Sequence, residues 1–169
     1  MDYSSNYFKS INLALKNAKY KSKKDIVDNK TFFEIINSKI NRLRDSRNRL
    51  FFLGNGASSA FANHMALDFS KNGNILSRSL SDSALYSALS NDYSFESAII
   101  EFLKIEDINS NDLVIAISAS GNSPNIVNAL NFCKEKNIET LSLSGLDSTN
   151  KSIKLSTYSI YVPMKTYGI

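Results

Sequence analysis

The chain holds 169 residues, 43% of them hydrophobic, with 20 Lys and Arg against 16 Asp and Glu and a formal charge of +4. That composition describes a soluble globular protein with enough apolar material for a core, and no apolar run nears the ~20 residues that cross a bilayer. A single cysteine, Cys133, and a single histidine, His64, exclude an internal disulfide, a Cys-x-x-Cys zinc site and any site drawing two imidazoles from one chain.

The opening Met1-Asp2-Tyr3-Ser4 lacks a charged-then-apolar leader, so a cytoplasmic protein is expected. Residues 1–50 carry 12 Lys and Arg against 5 Asp and Glu, whereas residues 51–169 carry 8 against 11. Apolar residues recur near helical spacing at Ile11, Leu13 and Leu15, and again from Ile26 through Phe32, Ile36, Ile40 and Leu43. The spacing predicts helices over residues 5–18 and about 25–48, the second opening at Asp25 or Asp28 and closing on Arg42, Arg44, Arg47 and Arg49. Basic residues there suit the negative end of the helix dipole. Solvated cationic faces on packed helices are the simpler reading of this segment. Direct DNA binding through Lys16, Lys19, Lys21, Lys23 and Lys24 is the distant one, and it would weaken steeply with salt.

Beyond residue 48 the pattern changes. Leu50-Phe51-Phe52-Leu53 is a short apolar strand stopped by Gly54-Asn55-Gly56, and Ala57 to Ser70 returns to helix. Leu113 to Ile117 repeats the device, with Ser118-Ala119-Ser120-Gly121-Asn122-Ser123 as its turn and Pro124 to Lys136 as its helix. Leu141 to Leu143, Tyr158 to Val162 and the weaker Arg78 to Ser81 complete five strands, and Asp82–Leu89 adds a helix. Strands alternating with helices predict an α/β, three-layer αβα sandwich around a mostly parallel five-stranded sheet. Residues 1–48 are too short to bury a core alone, so one domain over 1–169 is expected, with its core in 49–169.

In such a sheet, ligands sit beyond the carboxyl ends of the strands. Two loops there carry glycines, hydroxyls and free N–H groups at helix starts. Ser123 is placed to cap and Pro124 to begin a helix, which makes a phosphate site without lysine. His64 and Asp68, spaced i, i+4, form an acid/base pair, half a metal site, or an ordinary helix pair. Asn91-Asp92-Tyr93 reads as a polar turn whose carboxylate could meet sugar hydroxyls. Cys133 reads as a buried small side chain within the apolar pattern of its helix.

Taken in order, Gly54-Asn55-Gly56-Ala57-Ser58 with His64, Ser90-Asn91-Asp92-Tyr93, and Ile117-Ser118-Ala119-Ser120-Gly121-Asn122-Ser123 resemble the sugar isomerase (SIS) domain, most closely the phosphoheptose isomerases. The resemblance covers about residues 5–169. It implies conversion of sedoheptulose 7-phosphate to a heptose phosphate for cell-surface polysaccharide, by a proton transfer between C1 and C2 through an enediol. It implies that Ser58, Ser118, Ala119, Ser120 and Ser123 hold the phosphate and that Asn55, Gly56, Asn91 and Asp92 line the sugar. His64 becomes a zinc ligand or part of the acid/base machinery, and Asp68 the catalytic carboxylate and a second zinc donor. The N-terminal helices then help build a homotetramer.

Three departures stand out. Asp68 occupies a position that is usually glutamate, which draws the carboxylate back by roughly 1.5 Å. Ala57 and Ala119 stand where glycine and threonine are usual. The family continues past Val162-Pro163 into a terminal helix bearing a Gln or Glu and a second histidine, and these 169 residues do not include it. The alternative reading is a non-catalytic SIS module that binds a phosphosugar or a protein partner, as regulators of the bacterial replication initiator do.

Overall fold

The computed structural model describes residues 2–166. In chain order the elements are α1 (Tyr3–Lys16), β1 (Lys19–Ser22), β2 (Asp25–Val27), α2 (Asn29–Asp45), β3 (Arg49–Gly54), α3 (Ala57–Lys71), β4 (Leu76–Ser79), α4 (Ser83–Asp92), α5 (Ala98–Ile105), β5 (Leu113–Ser118), α6 (Pro124–Glu135), β6 (Glu139–Ser144), α7 (Lys151–Leu155) and β7 (Tyr158–Tyr161). The sheet runs β2-β1-β7-β6-β5-β3-β4. Pairs among β3 to β7 are parallel, as the apolar runs require, and β1 lies antiparallel to both β2 and β7.

The sheet therefore has seven strands, not five. The two additions are a hairpin turning at Lys23, which adopts φ 56°. Lys19 to Ser22 alternates cationic and less polar side chains, a strand pattern that charge masks in a helical reading. Asp25 belongs to β2, so the second helix opens at Asn29 behind Asp28, whose carboxylate accepts the Thr31 N–H at 3.0 Å. Burial of the Lys21 ammonium against the carbonyls of Ile153 and Ser156 ties this hairpin to the far side of the sheet.

Successive residues of β3 and β5 serve opposite layers, as the strand period demands. Leu50, Phe52, Leu113 and Ile115 pack with Phe32 and Leu43 of α2 and Ala62 and Ala66 of α3. Phe51, Leu53, Val114 and Ala116 pack on the other face with Ile99, Phe102 and Leu103 of α5 and Ile126, Leu130 and Cys133 of α6. Helix α4 extends to Asp92, so Asn91 and Asp92 form its last turn and Tyr93 its C-cap. No helix among the described residues is long and apolar enough to cross a membrane.

Candidate functional site

The sheet order reverses between β3 and β5. From β3 the chain crosses to β4 on one side, then returns to place β5 on the other, with Gly54 beside Ile117 at their carboxyl ends. This is the topological switch point at which open α/β sheets leave a crevice. The loops after these two strands meet there, and the starts of α3 and α6 meet with them.

Local chemistry explains each loop. A Cβ on Gly54 would lie 2.6 Å from the backbone of Ser58, so only glycine lets β3 turn so tightly into α3. Ser58 and Ser59 N–H groups donate to the Asn55 carbonyl at 3.0 and 3.3 Å, which starts that helix. In the second loop the Ser118 carbonyl accepts Gly121 N–H at 2.9 Å and the Ala119 carbonyl accepts Gly145 N–H at 2.8 Å. The Gly121 carbonyl accepts both Ser152 N–H and Ser152 Oγ–H at 2.9 Å, and Asn122 Oδ1 accepts Lys151 N–H at 3.0 Å. Trans peptides point C=O and N–H in opposite directions. Anchoring the Ser118 and Ala119 carbonyls therefore sends the N–H groups of Ala119 and Ser120 away from those partners.

Ser58, Ser118, Ala119, Ser120 and Ser123 line one open cleft of about 320 Å3, together with Asn55, Ala57 and Ile117. No lysine or arginine is among these residues. Ser123 is the N-cap of α6 but makes no capping bond with its side chain; its Oγ lies 3.4 Å from Ser118 Oγ. That hydroxyl is thus left on the cleft side, unlike an ordinary cap. Ser120 Oγ accepts Asn122 N–H at 3.2 Å, which leaves its own O–H as a donor. Hydroxyls, amides and two positive helix ends suit an anion.

Asn55 behaves differently from the serines. Its side-chain amide pairs reciprocally with that of Asn125, at 2.9 Å in one direction and 2.8 Å in the other. Asn125 also donates to Tyr86 Oη at 3.1 Å and accepts Ile126 N–H at 3.0 Å. Burial holds the Tyr86 phenol above its usual range, a rise that the Asn125 bond partly opposes. Tyr86 and Gly56 line a second, more apolar cleft with Leu80 and Phe95, and Asn55 stands at both clefts. Sequence reasoning passes over Asn125. The available signal is a polar residue at the head of the buried stripe it forms with Ala129 and Cys133 at four-residue spacing.

His64 and Asp68 face each other one helical turn apart on α3, with Nε2 3.3 Å from Oδ2. The histidine side chain is 68% exposed and the carboxylate 37%. They sit on the outer side of α3 beside exposed Phe61 and Leu67, outside the serine cleft. Asn91 and Asp92 are exposed at the end of α4 and bond to each other at 3.0 Å; neither lines either cleft. Zinc sites take three or four protein donors. His64 and Asp68 supply two, and no group of three or more His, Cys, Asp or Glu side chains that could hold a metal exists among the described residues. The donor set present does not fit the ion by itself.

Comparison with known proteins gives a concordant picture. A model of the SIS domain matches residues 6–145. The phosphoheptose isomerase of Aneurinibacillus thermoaerophilus is 36% identical over 124 residues, covering 70% of this chain and 62% of that protein. Phosphoheptose isomerase 2 of Campylobacter jejuni is 37% identical over 122 residues, covering 69% of this chain and 60% of that protein. The chain thus spans less than two thirds of the length of these relatives. The structure of phosphoheptose isomerase GmhA from Neisseria gonorrhoeae superposes with a TM-score of 0.77 at 20% identity, over 98% of this chain and 84% of that one, and shares its fold.

Proposed function

The chain belongs to the SIS domain family, and we propose that it interconverts a phosphorylated ketose and aldose of the sedoheptulose 7-phosphate class. The observation that carries this reading is the serine cleft: four hydroxyls from two loops, at two helix starts, with the loop carbonyls turned away. Such a cleft recognises a phosphate dianion through directed neutral donors. The relatives named phosphoheptose isomerase support this sugar class. The heptose phosphate formed would serve cell-surface polysaccharide synthesis in the cytoplasm.

Asp68 acts as the base that carries a proton between C1 and C2, and its partner His64 orients it and supplies an acidic N–H. His64 and Asp68 lie six and ten residues beyond Ser58, about 9 and 15 Å along the helix axis. An extended seven-carbon chain with bonds of ~1.5 Å holds its carbonyl end about 8 Å from the phosphate-bearing carbon. The phosphate group and its hydrogen bond to Ser58 add roughly 5 Å, so on this axial measure His64 is within reach of the sugar's reacting carbons and Asp68 is at its limit.

A homo-oligomer, in the tetrameric form the family resemblance implies, fits the exposed apolar residues. Helix α1 buries only Ala14 and exposes Tyr3, Phe8, Leu13 and Leu15. A lone 14-residue helix is marginal in water. A second copy seated on α1, or on the Phe61 and Leu67 face of α3, would cover these residues and desolvate the His64–Asp68 pair.

The test is turnover of sedoheptulose 7-phosphate followed by aldose formation, with sedimentation to give the assembly. Asp68→Ala should abolish turnover, and Ser120→Ala should raise KM about tenfold, the worth of one charge-assisted hydrogen bond. Equal rates for Asp68→Ala and wild type would sink the assignment of the base. Tight binding of the sugar phosphate without turnover would instead establish a non-catalytic binding module.

A further inference from the structure

The two loops of the serine cleft belong to different helices, and the first is flanked by glycine on both sides of Asn55. Gly56 adopts φ 53°. A Gly-Asn-Gly turn has many accessible conformations, so something outside it must hold Ser58 at a fixed distance from Ser118 and Ser123. We infer that Asn125 is a positioning residue that clamps the Gly54–Ser58 loop to the start of α6 through the Asn55 side chain. This rests on reading the serine cleft as the phosphate site.

Asn125 is completely buried. A carboxamide has two N–H donors and an oxygen with two lone pairs. All four are used here: both directions of the Asn55 pair, the Ile126 N–H and the Tyr86 hydroxyl. No other side chain of this size satisfies that set. Aspartate lacks the donors, leucine lacks everything polar, and glutamine is one methylene too long for the register.

The placement makes the pair a coupling between helix starts. Asn125 is the second residue of α6, directly after Pro124 and two after Ser123. On the other side, the Asn55 carbonyl is the acceptor on which the first turn of α3 closes, through Ser58 and Ser59. One residue therefore joins both helix N-termini, its backbone to α3 and its side chain to α6. The spacing of the two positive dipole ends, and of Ser58 from Ser123, follows from that pair. Tyr86 adds α4 as a third fixed point.

The experiment uses Asn125→Leu, Asn55→Leu and the double variant, with Asn128→Ala as control. Asn128 lies one turn along the same helix and bonds only to the Glu96 carbonyl at 3.4 Å. Amide exchange by NMR should speed up about tenfold at Ser58 and Ser59 in Asn125→Leu, with the rest of α6 and β5 at wild-type rates. Calorimetric affinity for sedoheptulose 7-phosphate should fall about tenfold in each single variant and no further in the double variant, because both remove one shared unit. Asn128→Ala should match wild type in both measurements.

Unchanged exchange at Ser58 and Ser59, exchange that rises equally everywhere, or faster loop exchange with wild-type affinity would each overturn the clamp. If wild type itself does not bind the sugar phosphate, the phosphate-site reading fails, and the exchange measurement alone decides the clamp. Should Asn125→Leu fail to fold, Asn55→Leu carries both measurements, since its side chain is only partly buried.

Discussion

Replacing Gly121 by alanine should disrupt the Ser118–Ser123 loop from behind. Gly121 adopts φ 62°, and a Cβ there would lie 2.2 Å from Cγ and Oδ1 of Asn150. Asn150 cannot step aside cheaply. It is 1% exposed, donates to Ser144 Oγ at 3.1 Å and to the Asp147 carbonyl at 2.8 Å, and caps α7 by accepting Ile153 N–H at 3.1 Å. The left-handed backbone costs about 1 kcal/mol for a residue with a Cβ. Overpacking adds about 1–3 kcal/mol, and displacing the cap adds about 1 kcal/mol. The expected loss is therefore about 3–5 kcal/mol in urea unfolding followed by circular dichroism. Asn150→Ala alone should cost about 1–2 kcal/mol. In that background the added methyl meets space, so the double variant should be more stable than the sum of the singles by about 2 kcal/mol. A Gly121→Ala variant within 0.5 kcal/mol of wild type would refute the close packing, and additive singles would show that the two residues do not meet.

Other parts of the fold respond to perturbation in their own ways. Asp112→Ala removes a buried carboxylate that accepts Arg49 N–H at 2.8 Å, Arg49 Nη2 at 2.9 Å and Asn109 N–H at 3.1 Å, so urea unfolding should register a loss of about 3–5 kcal/mol, with Asp112→Asn milder. Burial pushes the Cys133 thiol up to about 12; native protein at pH 8 should resist iodoacetamide, and unfolded protein should react, as mass spectrometry reads directly. Hydrogen bonds from Thr31 and Thr149 hold Asp28 and Asp147 below the usual carboxylate range. The stability these two carboxylates add is complete above the unfolded value of about 4, and it disappears as pH falls through their lower folded values. Asp28→Asn with Asp147→Asn should flatten the pH dependence of the melting temperature in that acid window.

The parallel core was readable because its strands are buried on both faces. Leu50 to Leu53 and Leu113 to Ile117 are continuous apolar runs, and each ends in small residues that must turn. The hairpin was not readable, because Lys21 looks solvated in sequence whereas its ammonium meets the carbonyls of Ile153 and Ser156. Helix α5 escapes notice for the opposite reason. Its eight residues bury only Ala98, Ile99, Phe102 and Leu103 and leave Lys104 and Ile105 exposed, and a stripe barely two turns long in so apolar a run does not tell helix from strand. The serines of the cleft were legible from composition and position. Asn91 and Asp92 point to a different lesson: a turn-like dipeptide sits inside the last turn of α4, where its side chains face solvent.

A phosphate site built without cations depends on geometry more than on charge. A lysine attracts a dianion over a broad range of positions, whereas an N–H or O–H dipole helps only when aimed at it. The cleft therefore needs what surrounds it: the Ala119 and Gly121 carbonyls held by Gly145 and Ser152, Gly121 pressed on Asn150, and Asn55 locked to Asn125. The basic residues of the chain are concentrated in its first 50 positions and contribute none of the residues lining the cleft. Selectivity for a phosphorylated sugar over other anions would thus reside in the spacing of neutral donors, and residues that never touch the ligand would govern it as strongly as the serines that do.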